Sequence, residues 1–114
     1  MEKIVEQTLL YDFYGKLLTE HQKSIYEDVI LNDYSLSEIA EENGISRQGV
    51  HDLVKRCNKI LKDYEEKLHL VEKFIETKDM VNKINQLTKD YLQSKDIQCI
   101  EEIQEISNHI VKNF

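Results

Sequence analysis

Apolar residues recur along this chain at spacings of three and four, the period of an amphipathic helix, and no stretch alternates at period two long enough to make a strand. Ile4, Val5, Leu9, Leu10, Phe13, Tyr14, Leu17 and Leu18 form a first stripe, which Gly15 ends or bends. Thr19 with Gln22 three places on is a capping-box pattern and predicts a second helix. Its stripe is Ile25, Tyr26, Val29 and Ile30, and Asn32-Asp33 ends it. Ser35 with Glu38 repeats the pattern ahead of a short apolar face, Leu36, Ile39 and Ala40. Gly44 stands where a helix end takes up the left-handed conformation without a Cβ penalty. Ser46 is placed to cap the next helix, and Ile45 before it pairs with Val50 as a hydrophobic staple.

From Ser46 the pattern has no clear stop. Val50, Val54, Cys57, Leu61, Tyr64, Leu68, Val71 and Ile75 alternate at four and three, an unbroken heptad seam. One helix from Arg47 to Ile75 is about 43 Å long at ~1.5 Å per residue. The radius of gyration of a compact domain of this size is only about 13 Å. The helix therefore either projects from the globule and needs a partner, or bends near Leu68-His69. Met80, Val81, Ile84, Leu87, Tyr91 and Leu92 carry a further stripe, Gln93-Ser94-Lys95-Asp96 reads as a turn, and Ile97, Ile100, Ile103, Ile106, Ile110 and Val111 make a last helix. The expected fold is all-α, with a small domain over residues 1–62 and a helical C-terminal extension over 63–114. That extension either folds back to complete the monomer's core or forms a dimer surface; the seam and the length argument favour a homodimer.

The window Leu36–Leu53 fits the helix-turn-helix pattern. Ile39 and Ala40 lie on its first helix, Ala40 small because the second helix crosses close over it. Gly44 makes the turn, Ile45 plugs the core after it, and Val50 and Leu53 anchor the second helix. That second helix is expected to offer Ser46, Arg47, Gln48, His51, Asp52 and Lys55 to the major groove. Arg47 suits guanine and Gln48 adenine by bidentate geometry. Lys55, Arg56 and Lys59 suit phosphate.

Charge sharpens this reading. The chain has 114 residues, with 22 acids against 15 bases and a net charge of −7. Such a chain binds nucleic acid only through a local basic patch. Arg47, Lys55, Arg56, Lys59 and Lys62 supply one, with Asp52 the only acid among them. Against it, Asp52 repels phosphate, and Glu38, Glu41 and Glu42 make the preceding helix acidic. The length suits one domain or a small domain with an appended element, and excludes a large multidomain enzyme. The absence of proline, and only three glycines, leave few helix breakers.

Other chemistry is thinly represented. His21, His51, His69 and His109 fall in separate elements without metal-ligand spacing. Acid pairs such as Glu65-Glu66 and Glu101-Glu102 sit in surface helical runs, and there is no Gly-rich phosphate loop. The expectation is a non-enzyme with no metal, cofactor or small-molecule substrate. Cys57 and Cys99 read as reduced thiols. No apolar run approaches the ~20 residues of a membrane helix, and the first residues lack a signal-peptide core, so membrane insertion is not expected and the location is cytoplasmic. Tyr34, in a loop before a cap, is expected in a core or hinge role.

The stretch from Leu18 to about Leu61 resembles region 4 of sigma-70-type transcription factors, on Leu18-Thr19-Glu20-His21-Gln22, on Tyr34 through Arg47, and on Val50 and Lys55-Arg56-Cys57-Asn58-Lys59-Ile60-Leu61. Nothing resembles the other sigma regions, so the chain is not a complete sigma factor. Over its whole length it is more similar to the YlxM family of bacteria, on Ile45-Ser46-Arg47-Gln48-Gly49-Val50-His51-Asp52, Asp63-Tyr64-Glu65-Glu66-Lys67-Leu68 and Glu72-Lys73-Phe74. Members are short, cytoplasmic and all-helical, and their genes commonly lie beside that of the signal recognition particle GTPase. The resemblance implies a helix-turn-helix regulator that binds DNA, with RNA as the other nucleic acid, and acts in the signal recognition particle pathway with that particle's components as partners. The competing implication is a non-catalytic adaptor of the export machinery that uses the motif as a scaffold.

Overall fold

The computed structural model describes residues 2–113. It contains α1 (Lys3–Tyr14), a 3-10 turn (Gly15–Leu17), α2 (Glu20–Ile30), α3 (Leu36–Asn43), α4 (Arg47–Leu68), α5 (Leu70–Ser94) and α6 (Ile97–Asn113), with no strand among the described residues. The chain divides into two compact units, Met1–Val71 and Glu72–Phe114. This division lies beyond the 62/63 expected above, because the last turns of α4 are tied to α1 through Tyr14, Tyr64 and Glu65.

Helix starts in the first unit are local hydrogen-bond chemistry. Thr19 Oγ1 accepts from Gln22 N–H at 3.1 Å and Gln22 Oε1 accepts from Thr19 N–H at 2.9 Å, so two N–H groups that the helix leaves unpaired are satisfied reciprocally. Only half of the second expected box forms. Ser35 Oγ accepts from Glu38 N–H at 3.1 Å, but the Glu38 carboxylate takes the Ser35 hydroxyl at 2.9 Å instead of the backbone. Ser46 Oγ accepts from Gly49 N–H at 2.9 Å. Gly44 lies at φ 66°, ψ 31°. Ile45 N–H to Ala40 C=O at 3.1 Å and Gly44 N–H to Glu41 C=O at 3.4 Å close the end of α3 in a Schellman arrangement.

The core of this unit forms where α2 and α3 pack on α4. Ile25, Ile39, Ala40 and Val50 are buried together, with Val29, Leu36, Ile45 and Leu53 packed half-buried around them. Burying each of the larger side chains contributes about 1.5–3 kcal/mol relative to exposure. Leu10, Tyr14, Leu18, Tyr26, Cys57 and Leu61 are also buried, and α1 packs on α4 as well. Tyr11 stacks on Tyr26 with ring centroids 5.3 Å apart. The heptad residues Val50, Cys57 and Leu61 are thus used up inside this unit and offer no surface to a second copy.

The long helix is interrupted at His69, and the break is built. His69 ends α4 at φ 56°, ψ 29°, its N–H on Glu65 C=O at 2.8 Å. A new helix then starts at Leu70, and its first N–H groups need acceptors. Tyr14 Oη accepts from Leu70 N–H at 3.1 Å and donates to Glu65 Oε1 at 2.5 Å, while Glu65 Oε1 accepts from Val71 N–H at 2.9 Å. A buried phenol from α1 and a carboxylate from α4 therefore cap α5 between them.

The second unit holds the remainder of α5 and all of α6, joined at Lys95-Asp96. Lys95 takes φ 58° with its N–H on Tyr91 C=O at 2.7 Å, and Asp96 Oδ1 accepts from Gln98 N–H at 3.0 Å. Leu87 is its one buried apolar side chain among the described residues. Phe74, Val81, Leu92, Ile97, Ile100 and Val111 are exposed.

Candidate nucleic-acid interface

The first turns of α4 are placed from below. Gly44 turns the chain, Ser46 caps the helix, and Val50 is fully buried, so the outer face of α4 is held at a fixed rotation. Of the motif positions, Ile39, Ala40 and Val50 are buried and Ile45 and Leu53 half-buried. Ser46, Arg47, Gln48, His51, Asp52, Lys55, Arg56 and Lys59 are all exposed. At ~100° per residue, Arg47, His51, Lys55, Lys59 and Lys62 fall on one stripe along the helix. Arg56 stands roughly a third of a turn away from the middle of that stripe.

Asp52, the acid expected to oppose phosphate, is turned along its own helix. Gln48 Nε2 donates to Asp52 Oδ1 at 2.9 Å, and His51 Nδ1 lies 3.8 Å from the same oxygen. The carboxylate therefore orients the Gln48 amide rather than standing alone on the surface.

A groove of about 370 Å³ runs beside this stripe, where Lys3, Glu6 and Gln7 of α1 face Lys55, Asn58, Lys59, Lys62 and Asp63 of α4. On the other side of the motif, Tyr34, Glu38, Glu41 and Glu42 line an acidic cleft of about 470 Å³. Tyr34, expected in a core or hinge role, is 49% exposed there.

Comparison with known proteins fits this geometry. A family profile described as "Putative helix-turn-helix protein, YlxM / p13 like" (UPF0122) matches residues 1–106. The chain belongs to the YlxM/p13-like helix-turn-helix family. It is 44% identical to the UPF0122 protein YlxM of Bacillus subtilis (strain 168) over 105 residues, 92% of this chain and 96% of that protein. It is 40% identical to a UPF0122 protein of Acetivibrio thermocellus over 117 residues, 99% of this chain and 100% of that one. A UPF0122 protein of Caldanaerobacter subterraneus subsp. tengcongensis is 56% identical over 79 residues, 69% of this chain and 68% of that protein. The family is described as one of helix-turn-helix proteins.

In this family member no three His, Cys, Asp or Glu side chains converge as metal ligands among the described residues. Both cysteines are free thiols, Cys57 buried and Cys99 half-buried. Burial pushes the Cys57 thiol up, and the neighbouring Arg56 offsets this only in part. No helix among the described residues is long and apolar enough to cross a membrane. Sequence reasoning missed Lys3. Its neighbourhood in the chain carries no basic run, and only the packing of α1 on α4 brings it beside Lys55 and Lys62.

Proposed function

We propose that this member of the family is a nucleic-acid-binding regulator that uses the outer face of α4. Arg47 and Gln48 take base edges in the major groove, His51 and Ser46 flank them, and Lys55 and Lys59 take phosphates, with Arg56 contributing from the flank. The observation that carries this reading is the stripe of Arg47, His51, Lys55, Lys59 and Lys62, exposed on a rigidly capped helix in a chain of net −7. DNA is the first substrate to test and RNA the second. A homodimer formed through the C-terminal extension supplies two recognition helices for half-sites about 34–36 Å apart. The exposed Val81, Leu92, Ile97 and Val111 support that assembly.

The experiment is fluorescence anisotropy with genomic fragments of DNA and RNA at several salt concentrations. Salt-dependent binding, with Arg47→Ala and Gln48→Ala shifting preference among sequences by about 1–3 kcal/mol per base pair, is the expected result. One observation favours a second reading. The acidic cleft at Tyr34, Glu38, Glu41 and Glu42 lies on the motif's first helix, which in such complexes crosses the phosphate backbone. If the protein binds neither nucleic acid even at low salt, the nucleic-acid reading fails and the adaptor reading, with the motif as a scaffold, becomes the leading one.

A further inference from the structure

We propose that the groove between α1 and α4 is a phosphate seat for the sugar–phosphate backbone flanking the bases read by Arg47 and Gln48, and that Lys3 and Lys62 are its outer contacts. This rests on the nucleic-acid reading and adds to it an element outside the helix-turn-helix motif. Distance along α4 is the first argument. At ~1.5 Å per residue, Lys55, Lys59 and Lys62 lie about 12, 18 and 22 Å beyond Arg47. The major groove is about 12 Å wide. A helix whose first turn rests on base edges therefore carries these lysines past the groove's edge, where the ligand is backbone phosphate.

The groove has two walls. Lys3 begins α1 and lines the groove opposite Lys55, Lys59 and Lys62. A single helix face touches a strand from one side; here a phosphate meets ammonium groups from both. The charges are also uncommitted. Glu6 and Asp63 share the groove, yet none of the four lysines has an ion-pair partner within 4.0 Å among the described residues. Four cations against two acids leave the groove positive within an acidic protein, a local field of the sign a polyanion requires.

Two neutral donors lie beside the lysines. Tyr26 Oη donates to Asn58 Oδ1 at 2.6 Å. Burial holds that phenol protonated, pushed up to about 12, so its proton stays on the hydrogen bond. The Asn58 carbonyl is thereby occupied from the core, and its amide nitrogen is left as donor to the groove. The start of α1, at the Lys3 end, takes no side-chain cap from Glu2. Helix N-termini take phosphate readily through their first N–H groups.

The test uses the full-length chain and a labelled duplex, with anisotropy read between about 50 and 200 mM salt. The variants are Lys3→Gln, Lys62→Gln, the double glutamine variant, and the double variant Lys3→Arg with Lys62→Arg. Both lysines are exposed and unpaired, so unchanged helical signal and melting are expected. The slope of log affinity against log salt should fall by about 0.9 for each glutamine and by about 1.8 for both, on every sequence alike. The arginine pair should restore the wild-type slope. If the wild-type protein binds with a salt-dependent slope and the double glutamine variant keeps it, the groove is not a phosphate seat and the reading of α4 stands. If the wild-type protein shows no salt-dependent binding, that reading fails and the groove falls with it.

Discussion

Gly44 offers a clean test of the turn that positions α4. The residue lies at φ 66°, and a Cβ built on it meets no atom within 4 Å. Substitution there creates no collision, so its whole cost is conformational. A left-handed residue costs an L-amino acid roughly 1–2 kcal/mol. Part of this is offset, by about 0.4–1 kcal/mol, because losing glycine also narrows the unfolded ensemble. Gly44→Ala should therefore cost about 1 kcal/mol, and Gly44→Val about 2 kcal/mol because a β-branched residue tolerates φ > 0 least. Gly44→Asn should cost well under 1 kcal/mol, since Asn visits this region readily. Thermal melting followed by circular dichroism reads these as a graded series, at about 4–8 °C per kcal/mol for a unit of this size. An unchanged melting temperature for Gly44→Val would refute the left-handed turn. Equal losses for Asn, Ala and Val would show that the cost does not follow each residue's tolerance of the left-handed region.

Tyr14→Phe should destabilise the protein by about 1–3 kcal/mol in urea titrations, because it takes an acceptor from Leu70 N–H and a donor from Glu65; a neutral effect would mean the break at His69 is held by something else. Stability should decline as pH rises above the ordinary phenol value of 10, since burial raises Tyr11, Tyr14 and Tyr26, the last to about 12, and all three ionise more easily when unfolded; Tyr26→Phe should lessen that decline without removing it, and an unchanged alkaline limb would contradict it. A thiol reagent at neutral pH should label Cys99 quickly and Cys57 only on the timescale of unfolding, and equal rates would show that the core around Cys57 opens freely. Sedimentation should show a dimer at micromolar concentration that Val81→Glu with Val111→Glu weakens; a monomer at every concentration would remove the assembly proposed for the C-terminal extension.

The local elements were legible because their signals are local. Thr19 with Gln22, Ser46 with Gly49, and Gly44 after Asn43 act within one helical turn, and short-range chemistry of this kind leaves a mark on neighbouring letters. The heptad seam is ambiguous for the opposite reason. Periodicity reports that one face of α4 is apolar, but not what covers it. Val50, Cys57 and Leu61 meet α1, α2 and α3 of the same chain, so a pattern that reads as a coiled-coil seam is the inner face of a globular unit. The length argument offers an interruption near Leu68-His69 as one of two outcomes, and the helix does break there, but what holds the break is not local. A histidine in the left-handed region has no strong sequence signature, and what stabilises the break is Tyr14, more than fifty positions earlier.

The interface divides along the same line. The outward residues of α4 follow from its capping and its buried face, so Arg47, Gln48, His51 and Lys55 could be placed from spacing alone. Arg56 shows where spacing needs the helix's rotation as well. It belongs to the same basic run as Lys55 and Lys59, yet it lies off their stripe and beside the buried Cys57. A run of charge in sequence is thus not a face of charge in space, and the distinction has a consequence. Removing Arg56 and removing Lys62 delete the same formal charge, but only Lys62 lines the groove against Lys3. The long-range attraction to a polyanion should fall equally in the two variants, because it depends on summed charge. Any difference in salt slope between them therefore measures contact rather than field, and so tests the proposal that a local patch offsets the chain's net −7.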